Sequence, residues 1–365
     1  MTKPKVLIIG KLPPPYYGPA IATEIILQSS LSDSFQLIHL NNTVNKSVAD
    51  FGSLSLKKLW MNIKIYFKLF GLLAKHRPEL CLLPFSQSIG GFFKDSIFIL
   101  LASAFGAKVV LQLRGSNFRN IVEGAHPLIR SYIRFCFNRT KAMIVLGENL
   151  RYLFEGYYSP EQIFVVPNGC DLEIPNIPNR TEKVKLLYFA NFHQAKGIGE
   201  VVGAVSLLKK AGVTNFQLNA VGAWNDSSFE KKTKELVEHE KLPVTFHSPL
   251  SGEAKWRFFA EAEVFLFPPN KPEGHPWVIV EALAAGLPII STDQGAITES
   301  VLDGKNGFIV GTSRADQLAA KLKVLVQDKP MRERMGRRSL EHYKHNFTEQ
   351  MMVNNFSKVF MQLLK

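Results

Sequence analysis

The sequence predicts an α/β protein built from two doubly wound domains in tandem. Short apolar runs alternate with longer helical stretches, and this alternation begins again after the midpoint of the chain. A chain of 365 residues is also too long to form a single hydrophobic core. Such alternation is typical of a parallel sheet covered on both faces. We therefore expect ligands at the carboxyl ends of the strands, with the two domains facing each other across a cleft.

The first half contains six predicted strands, each a short run rich in apolar residues. These are Val6–Ile9, Gln36–His39, Leu80–Leu83, Val109–Leu113, Ala142–Leu146 and Ile163–Val166. The stretches between them predict helices, which lie near 19–31, 54–75, 90–105, 126–139 and 149–154.

The second half repeats the pattern with four predicted strands. These are Lys185–Phe189, Gln217–Val221, Val264–Phe267 and Pro288–Ser291. The predicted helices are 197–211, 227–240, 277–285 and others from 314 onward. Pro, Asn and Gly residues at 167–169 and 174–179 indicate a linker, so we predict domains 1–170 and 171–346 and a terminal helix 347–365 that can cross back to the first domain.

Composition indicates a folded cytoplasmic protein, with 46% hydrophobic and 21% charged residues. Only four apolar residues, Val6 to Ile9, precede Gly10, which is not a signal peptide, and the run Ile97–Ala107 is too short to span a bilayer. The three cysteines are widely spaced, as expected for reduced thiols.

Positive charge is concentrated in the first half. Residues 1–170 contain 19 Lys and Arg against 9 Asp and Glu, a net +10, whereas residues 171–365 contain 25 against 22, a net +3. An excess of this kind favours an anionic partner: a membrane surface, a phosphate-bearing acceptor or nucleic acid. Because no nucleic-acid recognition module is visible, we expect no nucleic acid.

Three predicted strand-to-helix turns have features that suit phosphate. One contains Gly18 and Pro19, the second places Lys196 and Gly197 before a helix, and the third is Glu273–Trp277. Free N–H groups and the positive end of the helix dipole attract anions at such turns, although most strand-to-helix turns bind nothing.

Two carboxylates belong to the third turn and the helix after it. Glu273 lies in the loop, and Glu281 lies about one turn inside a helix whose other residues are apolar on nearly every face. A carboxylate buried there needs partners, because leaving it unpaired costs several kcal/mol. Sugar hydroxyls can supply these hydrogen bonds; a simple surface position is the alternative.

The segment 273–288 resembles the E-x7-E signature of the family-4 retaining glycosyltransferases, which have the GT-B fold of two Rossmann-like domains. The turns 303–308, 167–171 and 196–197 are also similar to that family. The resemblance, which extends over nearly the whole chain, implies an enzyme that uses a nucleotide-diphosphate sugar as co-substrate.

The resemblance also implies roles for individual residues. Glu281 would accept hydrogen bonds from the ribose, and Glu273 would hold hydroxyls of the donor sugar. Lys196 would neutralise the diphosphate, and Gly18 would let its loop close over it. The remaining donor-binding positions implied are Asn191, Gly274, His275, Pro276 and Trp277. No metal-ligand cluster is visible, so we expect no metal and no other cofactor.

The chain departs from the family pattern in three places. Asn191 stands where the family usually has an arginine, Arg114 stands where it often has a histidine, and Pro276 replaces a more usual glycine. We hypothesise that Arg114 supplies the cation that is missing at position 191, which makes Glu273, Arg114 and Lys196 the predicted catalytic residues. The alternative is that Arg114 pairs with a structural carboxylate.

The segment 56–70 is basic, aromatic and helical in pattern. Its predicted membrane-contact residues are Lys57, Lys58, Trp60, Lys64 and Lys68. This pattern is typical of a helix in a membrane interface, and equally of an ordinary amphipathic helix with solvated lysines.

Together these observations predict a retaining glycosyltransferase of polysaccharide or lipopolysaccharide biosynthesis. It would transfer a sugar from a UDP- or GDP-sugar to a glycan or lipid-linked acceptor, as a peripheral protein on the inner face of the plasma membrane. The alternatives are transfer to a soluble small acceptor, or a nucleotide-sugar- or nucleic-acid-binding protein without catalysis.

Overall fold

A computed structural model of the chain describes residues 2–14, 17–44, 56–175 and 182–365. The chain forms two compact units. The N-terminal unit comprises residues 1–168 and 349–365, and the C-terminal unit comprises residues 169–348. Part of the predicted linker 174–179 and part of the turn before Gly18 lie outside the described residues.

The helices and strands follow one another in regular alternation. In the N-terminal unit they are β1 Lys5–Gly10, α1 Gly18–Gln28, α2 Leu31–Ser34, β2 Gln36–Asn41, α3 Leu56–His76, β3 Leu80–Phe85, α4 Ile89–Ala104, β4 Lys108–Leu113, α5 Phe118–Glu123, α6 Pro127–Phe137, β5 Ala142–Val145 and β6 Ile163–Val165. In the C-terminal unit they are β7 Val184–Phe189, α7 Ile198–Lys210, β8 Phe216–Val221, α8 Ser227–His239, β9 Val244–His247, α9 Gly252–Glu261, β10 Val264–Phe267, α10 Trp277–Ala284, β11 Ile289–Thr292, α11 Ile297–Ser300, β12 Gly307–Val310, α12 Ala315–Gln327 and α13 Lys329–Asn346; α14, Glu349–Leu364, ends the chain.

Each unit contains one parallel sheet of six strands, which confirms the predicted fold class. The strand orders are β2-β1-β3-β4-β5-β6 and β12-β11-β10-β7-β8-β9. The order reverses between β1 and β3 in the first sheet and between β7 and β10 in the second. Open α/β sheets bind ligands outside the carboxyl ends of the strands at such switch points.

The sequence prediction missed β9, β12 and α9. Strands β9 and β12 are the two edges of the C-terminal sheet; β9 has no fully buried residue, whereas β12 buries three of its four residues but is short and begins with a glycine. Helix α9 buries only Phe259 completely, so it has no regular apolar stripe. The helix predicted at 149–154 is a 3₁₀ helix, Glu148–Phe154.

The last helix, α14, packs on the N-terminal unit. The rings of Phe360 and Phe35 meet edge to face with centroids 5.6 Å apart, and Lys108 Nζ donates to the carbonyl oxygen of Leu363 at 2.6 Å. None of the helices among the described residues combines the length and apolar character needed to cross a bilayer.

Candidate active site

Three predicted site residues lie at the switch point of the C-terminal sheet. Lys196 follows β7, Glu273 follows β10, and Glu281 lies inside α10. Parallel strands end at the same edge of a sheet, so the turns after β7 and β10 become neighbours although some 77 residues separate them in the chain.

The turn that carries Lys196 is a single 3₁₀ turn, Gln194–Lys196, which ends at Gly197. Gly197 has a φ of 81°, and a Cβ there would lie 1.9 Å from the carbonyl oxygen of Pro268. Only glycine fits both the backbone angle and this close approach. Helix α7 begins directly afterwards, so its free N–H groups lie beside Lys196.

Lys196 and Glu273 form an ion pair. The Glu273 side chain is mostly buried, whereas 37% of the Lys196 side chain is exposed, so part of the lysine side chain can be reached by a ligand. The two residues predicted to bind the phosphates and the sugar are therefore in contact with each other.

The loop between Glu273 and α10 is held by buried contacts. His275 is 4% exposed, and its Nε2 lies 2.7 Å from Ser300 Oγ. Burial, with a smaller contribution from His342, lowers the pKa of His275 to about 3, so the imidazole is neutral near pH 7. The Ala296 N–H donates to Gly274 O at 2.8 Å. The imidazole of His275 therefore contacts the protein interior and holds the loop in place.

The remaining residues of this loop occupy the start of α10. Pro276 is the N-cap residue and the half-buried Trp277 is the first helical residue. Asn191 is exposed after β7, where its carbonyl oxygen accepts from the His193 N–H at 2.9 Å.

Glu281 is buried, and only one of its two carboxylate oxygens accepts a hydrogen bond from a described residue. Lys255 Nζ donates to Glu281 Oε1 at 2.5 Å, while Oε2 has no hydrogen-bond partner among the described residues. Burial raises the pKa of Glu281, and the adjacent Lys255 charge opposes that effect. A buried carboxylate oxygen without a partner is expensive unless a ligand completes it.

The sequence analysis missed Lys255. Its ammonium lies 4.7 Å from the Trp256 ring centroid and 5.1 Å from that of Phe189, in addition to its bond with Glu281. The available signal was a lysine directly before the aromatic-rich run 256–259 of α9, but that helix was not predicted.

The predicted residues Gly18 and Arg114 lie in the N-terminal unit. Gly18 is the first residue of α1. Arg114 follows β4, and its Nε and Nη1 donate to Gln112 Oε1 at 3.1 Å and to Pro19 O at 3.4 Å. Both acceptors are neutral, and no carboxylate in the described part of the chain forms an ion pair with Arg114. Burial lowers the pKa of Arg114 to about 10.

The predicted membrane-contact residues lie on α3. Lys57, Trp60, Lys64 and Lys68 are exposed and Lys58 is half-buried. Several apolar side chains of α3 are exposed as well, namely Leu56 (86%), Leu59, Phe67 (75%) and Phe70. Only Leu69 and Leu73 are buried, so most of the apolar face of α3 has no cover within the described residues.

We find no group of three or more His, Cys, Asp or Glu side chains placed to hold a metal ion in the ranges that the structure describes. Metal independence therefore stays a prediction from the sequence.

Residues 171–342 match the sequence family described as Glycosyl transferases group 1. A putative colanic acid biosynthesis glycosyltransferase, WcaL of Salmonella typhimurium, is 29% identical over 180 residues, which cover 45% of this chain and 42% of that protein. The matched part thus spans less than half of that relative.

Two solved structures share the fold along the whole chain. A glycosyltransferase from Rickettsia africae superposes with a TM-score of 0.80 at 15% identity and covers 100% of both chains. Anabaena Alr3699/HepE, solved in complex with UDP and glucose, superposes with a TM-score of 0.73 at 15% identity and covers 98% of this chain and 99% of its own.

Proposed function

We propose that the protein is a glycosyltransferase with a nucleotide-diphosphate sugar as donor, because residues 171–342 match the family described as Glycosyl transferases group 1. We propose that the sugar passes, with retention of configuration, to a glycan or lipid-linked acceptor in the synthesis of a polysaccharide or lipopolysaccharide. The alternatives remain a soluble small acceptor, or binding without catalysis.

The observation that carries this proposal is that Glu281 Oε2 has no hydrogen-bond partner among the described residues, in the same unit as the ion pair of Glu273 and Lys196. Ribose hydroxyls would donate to Oε2, which removes the cost of a buried acceptor without a donor. The hydroxyl groups of a donor sugar would donate hydrogen bonds to Glu273. The diphosphate would then replace Glu273 as the partner of the Lys196 ammonium group. Together, the two carboxylates and the lysine would bind both ends of such a donor.

The leaving nucleoside diphosphate develops negative charge during transfer. Lys196 and the N-terminal N–H groups of α7 would stabilise that charge, and stabilisers of this type contribute about 10²–10³-fold each to the rate. We therefore propose that the reaction needs no divalent metal, and turnover in the presence of excess EDTA tests this. Replacing Lys196 with alanine should lower kcat by that factor while the fold is retained.

Two observations support an acceptor at a membrane surface. Helix α3 exposes both lysines and large apolar side chains, which suits a position at an anionic lipid interface. WcaL, which is similar to this chain over 180 residues, is named for colanic acid biosynthesis, a polysaccharide process. We propose a peripheral position on the cytoplasmic face of the membrane for these reasons.

The decisive experiment is incubation of the full chain with labelled UDP- and GDP-sugars. We expect release of the nucleoside diphosphate by slow hydrolysis, and its loss in Glu273→Ala and Glu281→Ala. The Lys232→Met variant, which changes an exposed lysine of α8, serves as the control. Binding of the donor without turnover would favour the non-catalytic alternative. Unchanged donor affinity and rate in both folded alanine variants would contradict the proposed site.

A further inference from the structure

Both carboxylates of the proposed donor site are paired with a lysine, but the two pairs differ in exposure. In the first pair, 37% of the Lys196 side chain and 15% of the Glu273 side chain are exposed. In the second pair, the exposed fractions are 17% for Lys255 and 8% for Glu281. A ligand can therefore reach part of the first lysine, whereas the second pair is largely closed to solvent.

Aromatic rings hold the ammonium group of Lys255 in place. Its Nζ lies 4.7, 5.1 and 5.9 Å from the ring centroids of Trp256, Phe189 and Phe259, distances at which an aromatic ring attracts a cation. Phe259 is fully buried and lies one helical turn after Lys255, so both side chains share one face of α9. Because these rings and Glu281 surround the ammonium group, we expect Lys255 to keep its position when a nucleotide binds.

This lysine occupies one of the two oxygens of Glu281. Lys255 Nζ donates to Oε1 at 2.5 Å, while Oε2 is buried and has no hydrogen-bond partner among the described residues. A carboxylate with two open oxygens can accept hydrogen bonds from both hydroxyl groups of a ribose at once. In this chain the ammonium group already takes Oε1, so Oε2 is the oxygen that still needs a donor.

We propose that Lys255 is a positioning residue that occupies Oε1 of Glu281, so that the carboxylate binds the donor nucleotide through one ribose hydroxyl, at Oε2. This inference rests on the proposed function, because it concerns how the same site binds its nucleotide. The two ribose hydroxyls then contribute unequally to the affinity. A carboxylate that is open at both oxygens would produce no such inequality.

The test is calorimetric titration of the full chain with UDP and with GDP, followed by the 2′-deoxy and 3′-deoxy forms of the nucleotide that binds. We expect one deoxy form to bind at least about tenfold more weakly than the parent nucleotide, because Oε2 loses its donor. The other deoxy form should bind within about twofold of the parent, since its missing hydroxyl does not contact Glu281.

The outcomes separate this inference from the donor proposal. Equal weakening by both deoxy forms overturns the inference and leaves the donor proposal intact. Unchanged binding of both deoxy forms overturns, in addition, the assignment of Glu281 to the ribose. If neither UDP nor GDP binds, the donor proposal fails and this inference fails with it.

Two variants connect the inequality to Lys255. Lys255→Met removes the donor to Oε1, so both ribose hydroxyls can reach the carboxylate and the affinities of the two deoxy forms should differ by less than about twofold. Lys255→Arg keeps a cation beside Oε1 and should retain the difference. A merely structural role of Lys255 would change the overall affinity or the melting temperature but not the ratio between the two deoxy forms.

The matched control is Lys232→Met, which removes an exposed lysine of the same unit and should leave that ratio unchanged. Melting temperatures establish which variants fold, and the comparison of the deoxy forms on the unaltered chain needs no variant. A ratio in folded Lys255→Met as large as in the unaltered protein would show that Lys255 does not set it, which overturns the proposal.

Discussion

Lys255 Nζ and Glu281 Oε1 lie 2.5 Å apart in a buried ion pair whose second carboxylate oxygen has no partner in the described part of the chain. The pair joins α9 to α10 and orients the carboxylate that we assign to the ribose. Lys255 is therefore a residue that positions Glu281 in the donor site and does not itself contact the nucleotide-sugar.

Replacing Lys255 with methionine should destabilise the protein by about 3–5 kcal/mol at pH 8, because it leaves Glu281 charged, buried and unpaired. The pKa of Glu281, already raised by burial, should rise further without Lys255. Because protonation then removes the buried charge, the loss should shrink as the pH falls to 5.5. Urea unfolding at both pH values measures this.

The control for that measurement is Lys232→Met, an exposed position on α8 that should change the free energy of unfolding by less than about 0.5 kcal/mol. A loss in the Lys255 variant that is equally large at both pH values would mean that packing, and not the buried charge, dominates.

Arg114 should be needed for turnover. Its guanidinium bonds only neutral oxygens among the described residues, so its charge is available to a substrate. We expect Arg114→Ala to lower kcat/KM about 10²-fold, the usual effect of removing one stabilising cation. The melting temperature should change little, and Arg114→Lys should recover part of the rate. Near-normal turnover of Arg114→Ala would show that this residue does not compensate for Asn191.

Because of His275, the free energy of unfolding should decrease as the pH is lowered. Its pKa is about 3 in the folded protein because of burial, against about 6.5 in the unfolded chain. The unfolded state therefore binds more protons between these values, so this contribution is complete above about pH 6.5 and declines as the pH falls towards 3. From pH 7 to pH 5 the decline amounts to about 2 kcal/mol for one such group.

Unfolding free energies of the unaltered protein and of His275→Gln test this, since the glutamine does not titrate. The difference in the free energy of unfolding between the unaltered protein and His275→Gln should become smaller from pH 7 to pH 5. Burial also lowers the pKa values of His39 and His247, but these contributions cancel because both proteins contain them. A constant difference across this range would contradict the assignment.

Helix α3 should bind anionic membranes. Each lysine near such a surface contributes about 1 kcal/mol, so Lys57→Gln, Lys64→Gln and Lys68→Gln together should weaken partitioning about 100-fold. Flotation with vesicles of phosphatidylglycerol and phosphatidylcholine measures it, and Trp60→Ala should weaken binding through lost apolar contact. The charge-matched control changes Lys232, Lys323 and Lys344, which are exposed in the C-terminal unit. Equal flotation of both triple variants would remove the support for a membrane acceptor.

Much of the architecture follows from local pattern. The predicted strand Val264–Phe267 coincides with β10, and the helix predicted at 277–285 differs from α10 by one residue. Both elements are almost continuously apolar, so their extent is clear from the sequence. Edge strand β9 was missed because a half-exposed strand lacks that signal, and β12 was missed because it is only four residues long and begins with a glycine.

The sequence by itself determined the alternating strands and helices, the carboxylate on an apolar helix, and the requirement that Glu281 have a partner. Only the tertiary structure decided which partner that is, because Lys255 lies 26 residues away on a helix without a clear pattern. It also decided that Lys196 meets Glu273. Apolar periodicity is a property of neighbouring residues, whereas these contacts depend on strand order, which brings distant turns to one edge of a sheet.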